Sequence, residues 1–247
     1  MLRYGLDIAY QGTHYHGWQI QDNAHAVQHV LNNALSQILN YPIETVGSGR
    51  TDTGVHALQQ IVHMDLTNKI DTTHLIRSLN AILPLDIVVK KIIEVDSAFH
   101  ARHSAISRSY EYRMTSLKNP FLIDLAYYFP RKLNVDEMNK AAKLLLKHTD
   151  FRSFCKLHSD TPHYFCNITS AEWIEQDDLL IFKITSNRFL RGMVRAIVGT
   201  LLEIGLGRIK LHDFEEIINA KNRRYAGAAV PACGLFLTKV VYTNHFL

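Results

Sequence analysis

Leu2, Tyr4, Leu6, Ile8 and Tyr10 alternate with Arg3, Gly5, Asp7 and Ala9, the period-two pattern of a half-buried strand. Past a polar, turn-rich stretch, Val27, Val30, Leu31, Ala34, Leu35, Ile38 and Leu39 recur at spacings of three and four. That spacing predicts an amphipathic helix, stopped by Pro42. A short strand then leads into a loop rich in glycine. Residues 58–66 read as a strand, 71–83 as a helix capped by Asp71 or Thr72, and 86–95 as another strand.

The first hundred residues thus run β-α-β-loop-β-α-β, the order of a ferredoxin-like unit with an antiparallel sheet and two helices on one face. The remainder follows a similar plan. A strand at 106–115 precedes an irregular stretch through Pro130 and a helix at 134–147. A hairpin follows, 168–176 and 179–186, turned at Gln176-Asp177-Asp178. Helices at 188–204 and 211–220 and a strand at 235–243 complete the chain. The expected class is therefore α+β: two ferredoxin-like, RRM-like halves in a pseudo-twofold relation, with largely antiparallel sheets forming a central cleft. Residues 1–103 make the first half and 104–247 the second. No Gly/Ser-rich linker separates them, so packed halves are expected rather than tethered ones.

Length and composition narrow this picture. A chain of 247 residues with 47% apolar and 20% charged residues is ordinary for a globular protein, and it can bury a full core. No apolar run reaches the roughly eighteen residues of a membrane span, and the N-terminus lacks the form of a signal peptide. Cys155, Cys166 and Cys233 are odd in number and form no CxxC pair, which argues for a reducing cytoplasm and against a disulfide framework or zinc site. The net charge of +4 is unevenly spread. Residues 1–100 carry 6 Lys/Arg against 9 Asp/Glu, and residues 101–247 carry 21 against 14. The second part could present a basic face to a polyanion or simply a solvated, lysine-rich surface.

The chemistry-bearing candidates fall into three groups. Gly47-Ser48-Gly49-Arg50-Thr51-Asp52-Thr53-Gly54-Val55-His56 places one carboxylate beside a guanidinium among three glycines. It lacks the Gly-Lys-Ser/Thr ending of a phosphate-binding loop and the third glycine of a dinucleotide turn. Asp52 is either a reactive carboxylate or a turn residue bonded to its own backbone. Glycine at this density would also let another molecule's backbone come close. Arg108, Tyr110 and Tyr112 share one face of a predicted strand, where an aromatic ring and a guanidinium can stack a base and hold its phosphate. Equally, Tyr112 could be core and Arg108 rim. Arg188, Arg191 and Arg195 stand at helical spacings of three and four with no acidic residue from 187 to 198. On a helix they would form one repelling stripe that a phosphate or carboxylate could relieve. The pairs His14-x-His16 and His100-x-x-His103 have no carboxylate or cysteine at a zinc-ligand spacing, so no metal is expected.

Taken together, these segments resemble the TruA family of tRNA pseudouridine synthases. Gly47 to Ala57, GSGRTDTGVHA, is similar to that family's GAGRTDAGVHA, with Ser48 and Thr53 in place of alanines. The resemblance also takes in Tyr10-Gln11-Gly12-Thr13, Gly17-Trp18-Gln19-x-Gln21, Phe99-His100-Ala101-Arg102, Arg108-Ser109-Tyr110-x-Tyr112 and Asp150-Phe151-Arg152-Ser153-Phe154. Met193-Val194-Arg195-x-Ile197-Val198-Gly199 and Pro231-Ala232-x-Gly234-Leu235 extend it nearly to the end of the chain.

The resemblance implies isomerisation of uridine at about positions 38, 39 and 40 of the tRNA anticodon stem–loop, in the cytoplasm, by a cofactor-free homodimer. It implies Asp52 as the catalytic residue, Arg195 as its charge partner, Tyr110 stacked on the flipped uracil and Leu235 on the uracil's other side. Arg50 would fill the space the base leaves, and Arg108 and Arg191 would join the substrate-binding set. Two rival readings are an RNA-binding protein without chemistry and a metal-dependent hydrolase built on the histidines. The first gives no reason for a carboxylate beside an RNA site, where it would oppose phosphate.

Overall fold

In the computed structural model, which describes residues 1–243, β1 (Leu2–Tyr10) takes the placement its alternation demands. Tyr4, Leu6, Ile8 and Tyr10 are buried, and Arg3, Asp7 and Ala9 are half-buried. α1 (Val27–Leu39) buries Val27, Leu31, Ala34 and Leu35. It ends at Asn40, whose left-handed φ of 63° breaks the helix two residues before Pro42. β2 (Val46–Gly47) and β3 (His56–Leu66) flank the glycine-rich loop. α2 (Thr72–Ile82) is capped by Asp71, whose carboxylate accepts the His74 N–H at 3.0 Å, and β4 (Ile87–Val95) follows.

The chain divides into two compact units, Met1–Arg108 together with the stretch from Phe236 onward, and Ser109–Leu235. In the first unit the strands run in the order β4-β1-β3, with β1 antiparallel to both neighbours and β2 antiparallel to β3. β5 (Ala105–Thr115) crosses the division. The last strand, β9 (Leu235–Tyr242), joins β3 in parallel through His56↔Phe236 and Ala57↔Leu237. The expected division at residue 103 had grouped this strand with the second half. A parallel partner far along the chain leaves no local mark in the sequence, so the pairing was not legible there.

In the second unit β6 (Tyr127–Tyr128) pairs in parallel with β5. α3 (Val135–Leu144), capped by Asn134, continues as a 3₁₀ turn to Lys147. β7 (Ile168–Gln176) and β8 (Leu179–Ser186) form the expected hairpin, with Asp177 at φ 52° in its turn. α4 (Met193–Gly205) and α5 (Leu211–Asn219) follow. Met138 and Ala141 of α3, Phe182 of β8, Ile197, Val198 and Leu201 of α4 and Phe214 of α5 are all fully buried. The architecture is mixed α/β with mostly antiparallel strand pairing, and among the described residues no helix is long and apolar enough to cross a membrane.

One expectation needs correction. α4 starts at Met193 rather than at 188, because Gly192 caps it with a left-handed φ of 69°, a conformation no helix interior accepts. Arg188 and Arg191 therefore precede the helix, and only Arg195 of the expected stripe lies on it. The like-charge repulsion inferred from helical spacing falls away with the stripe.

Candidate active site

The loop between β2 and β3 is held at almost every residue. Gly47 pairs with Val62, and a Cβ there would strike the Trp18 indole. The Ser48 N–H donates to the Ile61 carbonyl at 2.7 Å, and its hydroxyl to Gln60 Oε1 at 2.5 Å. Gln60, fully buried, returns its amide to the Gly49 carbonyl at 2.8 Å. Thr51 accepts the Trp18 N–H on its carbonyl at 3.3 Å and bonds Tyr10 Oη through Oγ1 at 2.9 Å.

Beyond Asp52 the turn closes through Val55 N–H to the Asp52 carbonyl at 3.1 Å, and the Gly54 N–H donates to the Tyr15 carbonyl at 3.2 Å. Gly54 sits at φ 76°, where glycine is the residue without a steric penalty. His56 Nδ1 accepts the Gly12 N–H at 3.0 Å while its ring stacks on Phe236 at 4.5 Å. Tyr15 is itself anchored, its hydroxyl donating to Asp86 at 2.6 Å. Burial, then that carboxylate, pushes the Tyr15 hydroxyl well above its ordinary pKa. The register slip of β1 between Ile8 and Tyr10 is of the kind found beside functional loops. It sets Tyr10 opposite Ala57, within reach of Thr51.

What this scaffold presents is a half-buried Asp52 flanked by an exposed Arg50. The glycines serve different ends from the expected one. Gly47 makes room for Trp18, Gly54 supplies the turn, and at Gly49 an added Cβ would meet nothing within 4 Å. The open space at Gly49 leaves room for close approach by another molecule.

Ser48 stands where the family signature has alanine, yet its hydroxyl is the donor that satisfies a buried Gln60 oxygen. A Ser48→Ala protein, leaving that acceptor unpaired, is expected to lose about 1–3 kcal/mol of stability. A denaturant titration at unchanged slope measures it, and an unshifted midpoint would show that water or a rotated amide replaces the bond.

In the second unit Tyr110 is half-buried and meets Phe189 edge-on, centroids 5.1 Å apart. Tyr112 is fully buried and donates to the Pro231 carbonyl at 2.8 Å. Burial raises its hydroxyl far above the ordinary range. Of the two tyrosines, Tyr112 is core and Tyr110 is half-buried.

Arg195 Nε donates to the Val230 carbonyl at 2.6 Å, and the Arg195 carbonyl accepts the Val230 N–H at 3.2 Å. The arginine is thereby fixed to the segment that leads into the 3₁₀ turn Ala232–Gly234 and to Leu235, which is buried. Arg191 is exposed, and its carbonyl accepts the Lys156 N–H at 2.9 Å. Arg188 is engaged by His163 and Thr161.

Arg108, at the end of the first unit, directs its guanidinium at three carbonyls of its own chain: Ala105 at 3.0 Å, Arg102 at 2.5 Å and Ser48 at 2.9 Å. His100, one of the residues weighed as a metal ligand, accepts the N–H groups of Arg102 and His103 on Nδ1 at 3.1 and 3.2 Å. The segments 10–13 and 17–21 carry the family resemblance with no role attached to them. Their bracing of the Asp52 loop, like the role of Gln60 in a mostly buried strand, carries no mark in the sequence, although a buried glutamine always needs partners.

The folded chain is thus a mixed α/β protein presenting a single carboxylate on a rigidly braced loop. It has none of the phosphate-binding signatures of a kinase or a nicotinamide enzyme. The chain belongs to the tRNA pseudouridine synthase family, whose sequence profile matches residues 8–104 and 141–243. It is 45% identical over 243 residues to the tRNA pseudouridine synthase A of Parabacteroides distasonis, covering 98% of this chain and 96% of that one. Against the enzyme of the same name from Porphyromonas gingivalis the identity is 45% over 248 residues, with 99% and 98% covered. The Exiguobacterium protein of that name is 37% identical over 242 residues, at 98% of both chains.

Proposed function

We propose that this protein isomerises uridine to pseudouridine in tRNA, at about positions 38, 39 and 40 of the anticodon stem–loop. The observation that carries the reading is the loop Gly47–His56, whose backbone is bonded from both sides while Asp52 and Arg50 project from it. The N1–C1′ bond breaks, the uracil turns, and a C5–C1′ bond forms while the C5 proton leaves and N1 is protonated. The sum is an isomerisation, needing no redox partner and no group donor.

Asp52 acts at the reacting centre as nucleophile or base. Because the base is stacked in RNA, it is flipped out at a cost of a few kcal/mol. One aromatic stack on Tyr110 returns about 1–3 kcal/mol, so phosphate contacts supply the remainder. Arg50 takes the space the base vacates, Leu235 packs on the pyrimidine, Arg195 supplies positive charge at the reacting centre, and Arg191 contacts phosphate. The two-halves ferredoxin-like plan, the homodimer and the cytoplasmic setting belong to the same reading.

The test is an unmodified anticodon stem–loop transcript incubated with the purified protein, followed by carbodiimide labelling and primer extension. Stops at the expected uridines support the reading, and their absence at saturating protein overturns it. Affinity should also fall steeply with salt. Three phosphate contacts alone give roughly 20- to 40-fold between about 50 and about 200 mM salt, and a flat profile in a filter-binding series would contradict a charge-driven interface.

A further inference from the structure

We infer that Arg108 is a positioning residue for the Asp52 loop, not a phosphate ligand; the inference rests on the isomerase reading above. Its two terminal nitrogens reach three carbonyls on two different segments. Nη1 bonds the Ala105 carbonyl, and Nη2 bonds both the Arg102 and Ser48 carbonyls. The first segment, residues 99–105, is itself immobilised. The Ala101 N–H donates to buried His63 at 3.2 Å, the Tyr242 hydroxyl to the Ala101 carbonyl at 2.6 Å, and the His100 N–H to Ser104 Oγ at 2.9 Å.

The second segment is the catalytic loop four residues before Asp52. There the Ser48 carbonyl is taken by Arg108 and the next carbonyl, Gly49, by Gln60. Two successive carbonyls are thus pulled by two planar, multi-donor side chains rooted in different places. The peptide between them keeps one orientation, and Asp52 inherits it. A lysine could not do this, since its ammonium is a single point charge whereas the guanidinium is a rigid fork of five donors. Displacement of a reacting group by about 1 Å costs on the order of a hundredfold in rate.

The experiment compares Arg108→Lys, Arg108→Met and Arg108→Ala with the native protein in three measurements. The first is single-turnover conversion at saturating tRNA. A positioning role predicts a fall on the order of a hundredfold in all three variants, Lys included, with the tRNA dissociation constant and its salt slope unchanged. Added guanidinium ion should restore much of the lost rate to Arg108→Ala and none to the native protein. The second is the salt series. A slope reduced by about one, with the saturated rate intact and Arg108→Lys behaving as native, identifies a phosphate contact and overturns the proposal.

The third is amide hydrogen exchange of the unliganded proteins, which does not depend on activity. Faster exchange confined to peptides spanning 47–56 and 99–108 supports the clamp, and exchange indistinguishable from native overturns it. A native protein that makes no pseudouridine would sink the isomerase reading itself, while the exchange data would still decide whether Arg108 holds the loop.

Discussion

An Asp52→Asn protein is expected to bind tRNA as well as the native chain and to form no measurable pseudouridine, a loss on the order of 10⁴-fold or more. The amide is nearly isosteric, and the backbone anchors of the loop do not depend on the side chain that is changed. The Asp52 carbonyl still accepts the Val55 N–H, and Ser48, Thr51 and Gly54 keep their own anchors. What disappears is the negative charge and the nucleophilic oxygen pair, since a carboxylate accepts only and an amide is a neutral donor–acceptor. Binding should be equal or slightly tighter, because a charge of the same sign as phosphate has been removed. Carbodiimide mapping under single-turnover conditions measures the chemistry, and filter binding measures the affinity. Product formed within about 100-fold of the native rate would show that Asp52 is a structural carboxylate and move the search to another residue.

Alternation and three-four spacing placed the elements well, because burial on one face imposes a period that a single sequence displays. β1, α1, α2 and the β7–β8 hairpin were legible for that reason. The start of α4 was not, because a left-handed Gly192 can interrupt a run of helical spacings without altering them. The parallel pairing of β9 with β3 was not legible either, since it joins residues about 180 apart, a separation read from His56↔Phe236.

At the site, Asp52, Arg50 and Tyr110 were picked out because a carboxylate among glycines or a ring on a strand face is conspicuous by residue type. The residues that hold them in place are conspicuous only by partner. Arg108 shows its three carbonyl partners only in the folded chain. Gln60 looks like an outward polar residue until its amide is found satisfied on both sides within the core. Reactive groups advertise themselves in composition, whereas positioning groups are defined by geometry.

Gly17→Ala is expected to have a large effect although Gly17 is not a reacting group. Gly17 has φ 88°, and a Cβ built there would collide with the carbonyl of Thr51, the residue immediately before Asp52. The left-handed backbone costs an alanine about 1–2 kcal/mol, and overpacking against a backbone atom that cannot rotate away adds about 1–3 kcal/mol. The sum corresponds to roughly 5–15 °C in melting temperature for a chain of this size. Relief would require separating the two segments, and that would break the Trp18 N–H bond to the Thr51 carbonyl and loosen the Val27 N–H bond to the Gly17 carbonyl. The strain is therefore delivered to the peptide that carries the carboxylate. The turnover rate should fall by on the order of a hundredfold in whatever fraction remains folded. Gly49→Ala is the matched control, two residues upstream of Thr51, where the new methyl meets nothing within 4 Å and the melting temperature should not change. If Gly17→Ala instead melts like Gly49→Ala and turns over like the native protein, the segment from Tyr10 to Trp18 is not what fixes the Asp52 loop. Positioning would then rest on Gln60, Arg108 and the bonds of Gly47 and Ser48 to β3.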